Sequence, residues 1–166
     1  MSVNIALLTV TDTRTLETDK SGNILVEKIN KAKHNLVERK ICKDNKEDIK
    51  IILKEWTHKK DLDVIITTGG TGLTGRDITP EALDEIADKH IPGFGEIFRY
   101  YSLETVGTSS IQSRACAILS NGKYIFALPG SSGGVTDAWD KILVNQLDVN
   151  HKPCNFVELF PRLKEK

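Results

Sequence analysis

The segment Thr67-Thr68-Gly69-Gly70-Thr71-Gly72-Leu73-Thr74-Gly75-Arg76-Asp77-Ile78-Thr79-Pro80 gathers residue types that can hold a phosphorylated ligand. Glycine accepts positive φ and lets the backbone approach a ligand closely, and successive free amides in such a turn form a concave anion site. Gly69, Gly70, Thr71 and Gly72 are the candidate cradle, with the hydroxyls of Thr68, Thr71 and Thr74 as extra donors and Arg76 as a cation. Asp77 supplies a carboxylate for a divalent metal, which bound phosphates use through one or two carboxylates plus water. No G-K-[ST] follows, so this is not a P-loop, and the spacing does not fit the dinucleotide pattern G-x-G-x-x-G. The plainer alternative is a tight turn in which Asp77 only caps the next helix.

A second turn, Leu128-Pro129-Gly130-Ser131-Ser132-Gly133-Gly134, also joins an apolar run to a helix-like stretch. The turn Pro129, Gly130 and Ser131 could bind phosphate at a helix start, with free amides after the proline, or could form an ordinary strand-to-helix loop. Asp12, Asp19 and Ser21 lie in a polar loop after the first apolar run, where they could meet polar groups of a heterocycle or cap the helix that follows. Asp44 could join Asp77 at a metal, or stand as N-cap of a capping box with Glu47. No serine or cysteine occupies a nucleophile motif, and the four histidines are scattered in surface-like contexts.

These residues need a scaffold that brings separate loops together. Val3–Val10 and Asp63–Thr67 are short apolar runs, as in strands buried on both faces of a parallel sheet, and 35–42 alternates like an edge strand. Between them lie amphipathic stretches carrying Ile24, Leu25 and Ile29, then Ile49, Ile52, Leu53 and Trp56, giving the order βαβαβ with right-handed crossovers. Thr79-Pro80 predicts an N-cap and first turn of a helix to about Lys89, and Phe94 to Leu103 a second helix. Asn121-Gly122 between 115–119 and 124–128 predicts a hairpin, so one of these strands runs antiparallel. A last helix is expected after Gly134, with Val135, Ala138, Trp139, Ile142 and Leu143 inward. The glycine loops then leave the carboxyl ends of the strands, where open α/β sheets bind ligands. Four aromatics within 94–101 exceed one inward helix face, so part of that segment is expected at a subunit interface.

The bulk numbers set limits. With 166 residues, 39% hydrophobic and 28% charged, the chain is expected to form a single domain over 1–166. Twenty-three basic residues balance twenty-three acidic ones, which argues against a nucleic-acid surface. No apolar run approaches the ~20 residues of a membrane helix. Met1-Ser2-Val3-Asn4 runs straight into an apolar segment, so no secretory leader is expected. Three cysteines with no C-x-x-C suggest reduced thiols and a cytoplasmic setting.

The string TTGGTGLTGRDITPEA, followed by IPGFGEIFR and ALPGSSGG, resembles the molybdenum cofactor biosynthesis family that includes MoaB and the molybdopterin adenylyltransferase MogA. The likeness runs from IALLTVTDTR and the DKSG turn to the closing KPCNF, and the SRACAI strand and PCNF ending are similar to the MoaB branch. The resemblance implies a three-layer α/β/α sandwich with a mostly parallel mixed sheet and one antiparallel strand, assembled as a homotrimer or homohexamer. It implies molybdopterin as ligand, Mg²⁺ as cofactor and ATP (or GTP) as co-substrate, with AMP transferred to the molybdopterin phosphate. Gly69, Gly70, Thr71, Gly72 and Asp77 carry over directly, Pro129-Gly130-Ser131 nearly so, and Asp44 loosely; Arg76, in the matched Arg-Asp pair, could contact phosphate. The adenylyltransferase branch continues its second loop as P-G-x-P-K-S, whereas this chain has Ser131-Ser132-Gly133-Gly134 and no lysine there. The alternative is therefore a protein that binds molybdopterin or a nucleotide for hand-off with little or no transferase activity. A third reading is a structural partner of other cofactor-assembly enzymes.

Overall fold

A computed structural model describes residues 1–165. The strands are β1 (Asn4–Val10), β2 (Asn35–Cys42), β3 (Val64–Thr68), β4 (Lys89–His90), β5 (Cys116–Ser120) and β6 (Lys123–Leu128). The helices are α1 (Lys20–Lys31), α2 (Lys46–Thr57), α3 (Thr79–Asp84), α4 (Pro92–Val106) and α5 (Ser132–Ala138), which runs on through a π-turn at Trp139–Leu143 into α6 (Val144–Gln146). Short 3₁₀ turns cover Gly107–Gln112 and Val157–Arg162.

The sheet order is β2-β1-β3-β6-β5-β4. β2, β1, β3 and β6 are parallel neighbours, and β5 pairs antiparallel with both β6 and β4, so β5 alone runs against the rest. The hairpin expected at Asn121-Gly122 is present, with φ of 48° and 72° at the two turn residues, the double positive φ that a tight two-residue connection demands. Side chains alternate across the sheet as period two requires. Ile5, Leu7, Val64, Ile66 and Phe126 pack with α1, α4 and α5 around Trp139. Ala6, Leu8, Val10, Ile65 and Ile125 pack with α2 and α3 around Trp56. Two cores flank one sheet, which is the three-layer α/β/α arrangement.

Several local expectations are corrected. The helix from Thr79 stops at Asp84, because Lys89 and His90 form strand β4 on β5, with Asp88 N donating to Leu119 O and Ile91 N to Ala117 O, each at 2.8 Å. α4 starts two residues before Phe94, at Pro92, and α5 starts at Ser132, ahead of Gly134. Asn45, not Asp44, caps α2, its Oδ1 accepting from Glu47 N (3.0 Å) and Asp48 N (3.1 Å). Thr79 is the first residue of α3 rather than its cap. His34 is buried, edge-on to Trp139, and burial holds its pKa below the usual value.

Candidate functional site

Because β3 and β6 are parallel neighbours with Thr68 opposite Leu128, the two glycine-rich loops leave the sheet side by side. Gly69 N donates to Leu128 O (3.0 Å), and a Cβ on Gly130 would stand 3.3 Å from the Gly69 Cα, so main chain meets main chain. Gly69 has φ +104°, and a Cβ there would lie 2.2 Å from Val10 O at the end of β1. Only glycine satisfies both the conformation and the space. Thr79 braces the turn from below, its Oγ1 donating to Gly69 O (2.9 Å) and its N to Gly70 O (3.0 Å).

A cavity of about 900 Å³ opens between these loops and α4. Gly69 to Gly72, Thr74, Arg76, Asp77 and Asp44 line one side, and Pro129, Gly130 and Ser131 continue the rim. Asp77 Oδ2 accepts from Thr74 N (2.8 Å) and Thr74 Oγ1 (2.7 Å), closing the 72–77 loop on itself. Burial pushes its carboxyl up, but the bonds from Thr74 and Gly72 and the charge of Arg114 prevail and hold it below the ordinary range. Asp44 moves the opposite way: burial first, then the carboxylates of Asp12 and Asp77, raise it. Asp12 Oδ1 accepts from Asp44 N (3.1 Å), and Arg76 Nη1 lies 3.9 Å from Asp12 Oδ2 with its side chain 76% exposed. Asp44 and Asp77 thus line the cavity with Asp12 bonded to the Asp44 backbone, and the exposed Arg76 guanidinium partly offsets their charge. Among the described residues no group of three His, Cys, Asp or Glu could hold a metal alone. The donor set suits magnesium, which keeps several waters and binds through one or two carboxylates plus substrate phosphates.

Other predicted residues act as scaffold. Thr68 is fully buried and its hydroxyl donates to Pro129 O (2.8 Å), tying the two loops together. Asp19 is 1% exposed; it caps α1 through Gly22 N (2.9 Å), accepts from Thr9 Oγ1 (2.6 Å) and pairs with Arg39 Nη2 (3.0 Å). Ser21 donates to Asp19 Oδ1 (3.2 Å) and lines a smaller cavity of about 300 Å³ on the other side of the Gly69–Gly130 contact, together with Arg14 and Lys20. Ser131 caps α5 by accepting from Gly134 N (3.1 Å).

Sequence reading missed two groups. Arg114, between the 3₁₀ turn and β5, donates from Nε to Gly72 O and from Nη2 to Asp77 O, both at 2.7 Å, while its backbone N donates to Thr71 O (2.9 Å) and Nη1 pairs with Glu81. It clamps the glycine loop from 37 residues away, and no local pattern marks it. Ser102, Thr105, Ser110 and Asp137 form the wall opposite Asp77. In the sequence they are polar residues without a motif; five hydroxyl side chains between 102 and 110 were the available signal.

The family profile described as "Probable molybdopterin binding domain" matches residues 6–149. Molybdenum cofactor biosynthesis protein B of Escherichia coli is 44% identical over 161 residues, which is 97% of this chain and 93% of that protein. A crystal structure of molybdenum cofactor biosynthesis protein B is similar with a TM-score of 0.89 at 40% identity, covering 100% of this chain and 98% of the other. A MogA structure is similar with a TM-score of 0.79 at 30% identity, over 87% of this chain and 95% of that one.

Proposed function

This chain belongs to the molybdenum cofactor biosynthesis family, and on that premise we propose that it binds molybdopterin and transfers AMP from Mg-ATP (or GMP from GTP) to the molybdopterin phosphate. The single observation that carries this reading is the main-chain contact of the two glycine loops beside Asp44 and Asp77 on one cavity. The terminal phosphate oxygen of molybdopterin attacks the α-phosphorus, the bond to the β-phosphate bridging oxygen breaks, and pyrophosphate leaves. Such transfer needs positioning and charge neutralisation and little covalent help, which fits a site without an evident nucleophile. The amides of Gly70 and Thr71 and of Gly130 and Ser131 orient the phosphates. Asp77, held ionised by Thr74 and Gly72, and Asp44, whose charge is disfavoured first by burial and then by Asp12 and Asp77, would hold magnesium; the carboxylates gain most when a cation relieves their repulsion. The bound metal would neutralise phosphate charge.

The test is direct. Protein, molybdopterin, ATP and Mg²⁺ should give adenylylated molybdopterin and pyrophosphate, and Asp77→Ala should abolish product with molybdopterin still bound. Product formation unchanged in Asp77→Ala removes Asp77 from the mechanism. A second reading, binding for hand-off without efficient transfer, is favoured by one observation: loop 129–134 has no lysine, and Arg76, the lone cation lining the cavity among the described residues, is exposed. Tight molybdopterin binding with no pyrophosphate released selects it.

The proposal extends to assembly and setting. Ile97, Tyr100, Leu103 and Val106 on α4 and Ile111 after it are exposed apolar side chains, which supports a homotrimer or homohexamer built through this helix. The cytoplasm is the proposed location and other cofactor-assembly enzymes the proposed further partners. Cys42, Cys116 and Cys154 are free, and among the described residues no helix is long and apolar enough to cross a membrane.

A further inference from the structure

The α4–α5 wall of the large cavity holds a third acid that phosphate binding does not use. Asp137, on α5, is 9% exposed and lines the cavity with Ser102, Thr105, Ser110 and Phe98. A carboxylate has about four lone-pair positions, and a buried one leaves few idle. Thr105 Oγ1 occupies one position on Oδ2 at 2.8 Å. Lys141 Nζ pairs with Oδ1 at 3.5 Å while it also pairs with Glu104 at 2.7 Å. Each oxygen thus has one partner, and a carboxylate that lines the cavity keeps about two of its four acceptor positions open.

We propose that Asp137 reads the ligand's heterocycle, accepting a hydrogen bond from an exocyclic amino group beside a ring N–H, with Ser102 and Ser110 bounding the ring. The inference rests on the molybdopterin reading and adds orientation to it: phosphate at the glycine and carboxylate end, the donor edge of the ring at the α4–α5 end. The cavity then discriminates. A buried acceptor matched to an N–H donor rejects an isostere that presents a carbonyl oxygen in its place, because two acceptors would face one another without a proton.

The probes are 6-hydroxymethylpterin and the corresponding lumazine, in which oxygen replaces the exocyclic amine, with binding read by quenching of their own fluorescence. Wild-type protein should prefer the amino compound by about 10- to 100-fold, the range of a charge-assisted hydrogen bond. Asp137→Asn, which can turn its amide to donate to a carbonyl, should bring the two within about 2-fold of each other. Thr105→Ala, which keeps the carboxylate, should retain the preference. Equal affinity of wild type for both probes, or an undiminished preference in Asp137→Asn, overturns the assignment while molybdopterin binding stands. The same holds if Asp137→Asn and Thr105→Ala lose melting temperature together without altering the preference, for then the acid only bridges α4 and α5. Failure of molybdopterin itself to bind removes the underlying reading and this one with it.

Discussion

Replacing Gly72 by alanine puts a methyl carbon 2.7 Å from Asp77 Oδ2 and 3.1 Å from its Cγ, closer than real contacts allow. Gly72 does not adopt the left-handed backbone, so the substitution adds no backbone strain and acts through Asp77 alone. Asp77 has to swing away, breaking its bonds from Thr74 N (2.8 Å) and Thr74 Oγ1 (2.7 Å). Each such bond to a charged acceptor contributes roughly 1.5–3 kcal/mol when buried, but this loop is largely exposed, so about 1–2 kcal/mol in total is reasonable. For a domain of this size that is a fall of about 2–8 °C in Tm. The functional loss should be larger, roughly 10²–10³-fold in magnesium-dependent pyrophosphate release, since a displaced electrostatic group costs that much. Calorimetric titration of Mg-ATP should show the same loss in a protein that is folded by circular dichroism. Gly75→Ala, where an added Cβ meets nothing within 4 Å, is the internal control and should resemble wild type. If Gly72→Ala and Gly75→Ala behave alike in both assays, the carboxylate of Asp77 has no part in metal binding.

Arg114→Met removes the donors to Gly72 O and Asp77 O and leaves Glu81, whose Oε2 is already buried without a partner, unpaired. Thermal melts should register about 2–4 kcal/mol of destabilisation, and molybdopterin affinity should drop alongside, whereas Arg114→Lys should rescue little because it lacks the planar fork. Asp44→Asn should raise Tm at pH 7, because a carboxyl with an elevated folded pKa destabilises the fold once ionised; that gain should vanish as pH falls below its pKa, and Mg²⁺ affinity should be lost at every pH. Asp19 behaves inversely. Burial opposes its charge, but Thr9, Gly22 and Arg39 hold its folded pKa below the ordinary 3.8, so its stabilisation is full above that value and is lost as pH falls through the folded pKa; a pH series of urea melts on wild type and Asp19→Asn should converge in acid. Leu103→Asp with Val106→Asp should reduce the mass by light scattering to the 18.5 kDa monomer; an unchanged oligomer would place the interface elsewhere.

The strands and the two glycine loops were legible because buried apolar runs and positive-φ requirements leave local marks, as at Asn121-Gly122. Element ends were less so. Asp44 and Asn45 are both good caps, and only the backbone at Asn45, extended before α2, decides between them. Lys89-His90 carries no strand pattern; it becomes β4 because β5 offers an unpaired edge. Thr79 looks like a cap by type, yet its hydroxyl is spent on a carbonyl ten residues earlier in the chain. Of the candidate site, the face made by consecutive residues was visible, while Arg114 and Asp137 act across long sequence separations and leave no periodic trace. Thr68 and Ser131 have the right chemistry and the right loops, but their hydroxyls are engaged within the protein.

The contact between Gly69 and Gly130 joins segments 61 residues apart, and the later of them follows the final strand to be synthesised. Until β6 has paired with β3 there is half a pocket and nothing to retain a guest. Ligand capture should consequently report that the sheet is complete, and an occupied pocket should lock its central pair of strands against opening. Amide hydrogens of 64–68 and 124–128 would then exchange more slowly with guest present than those of β2, which sits at the free margin of the sheet.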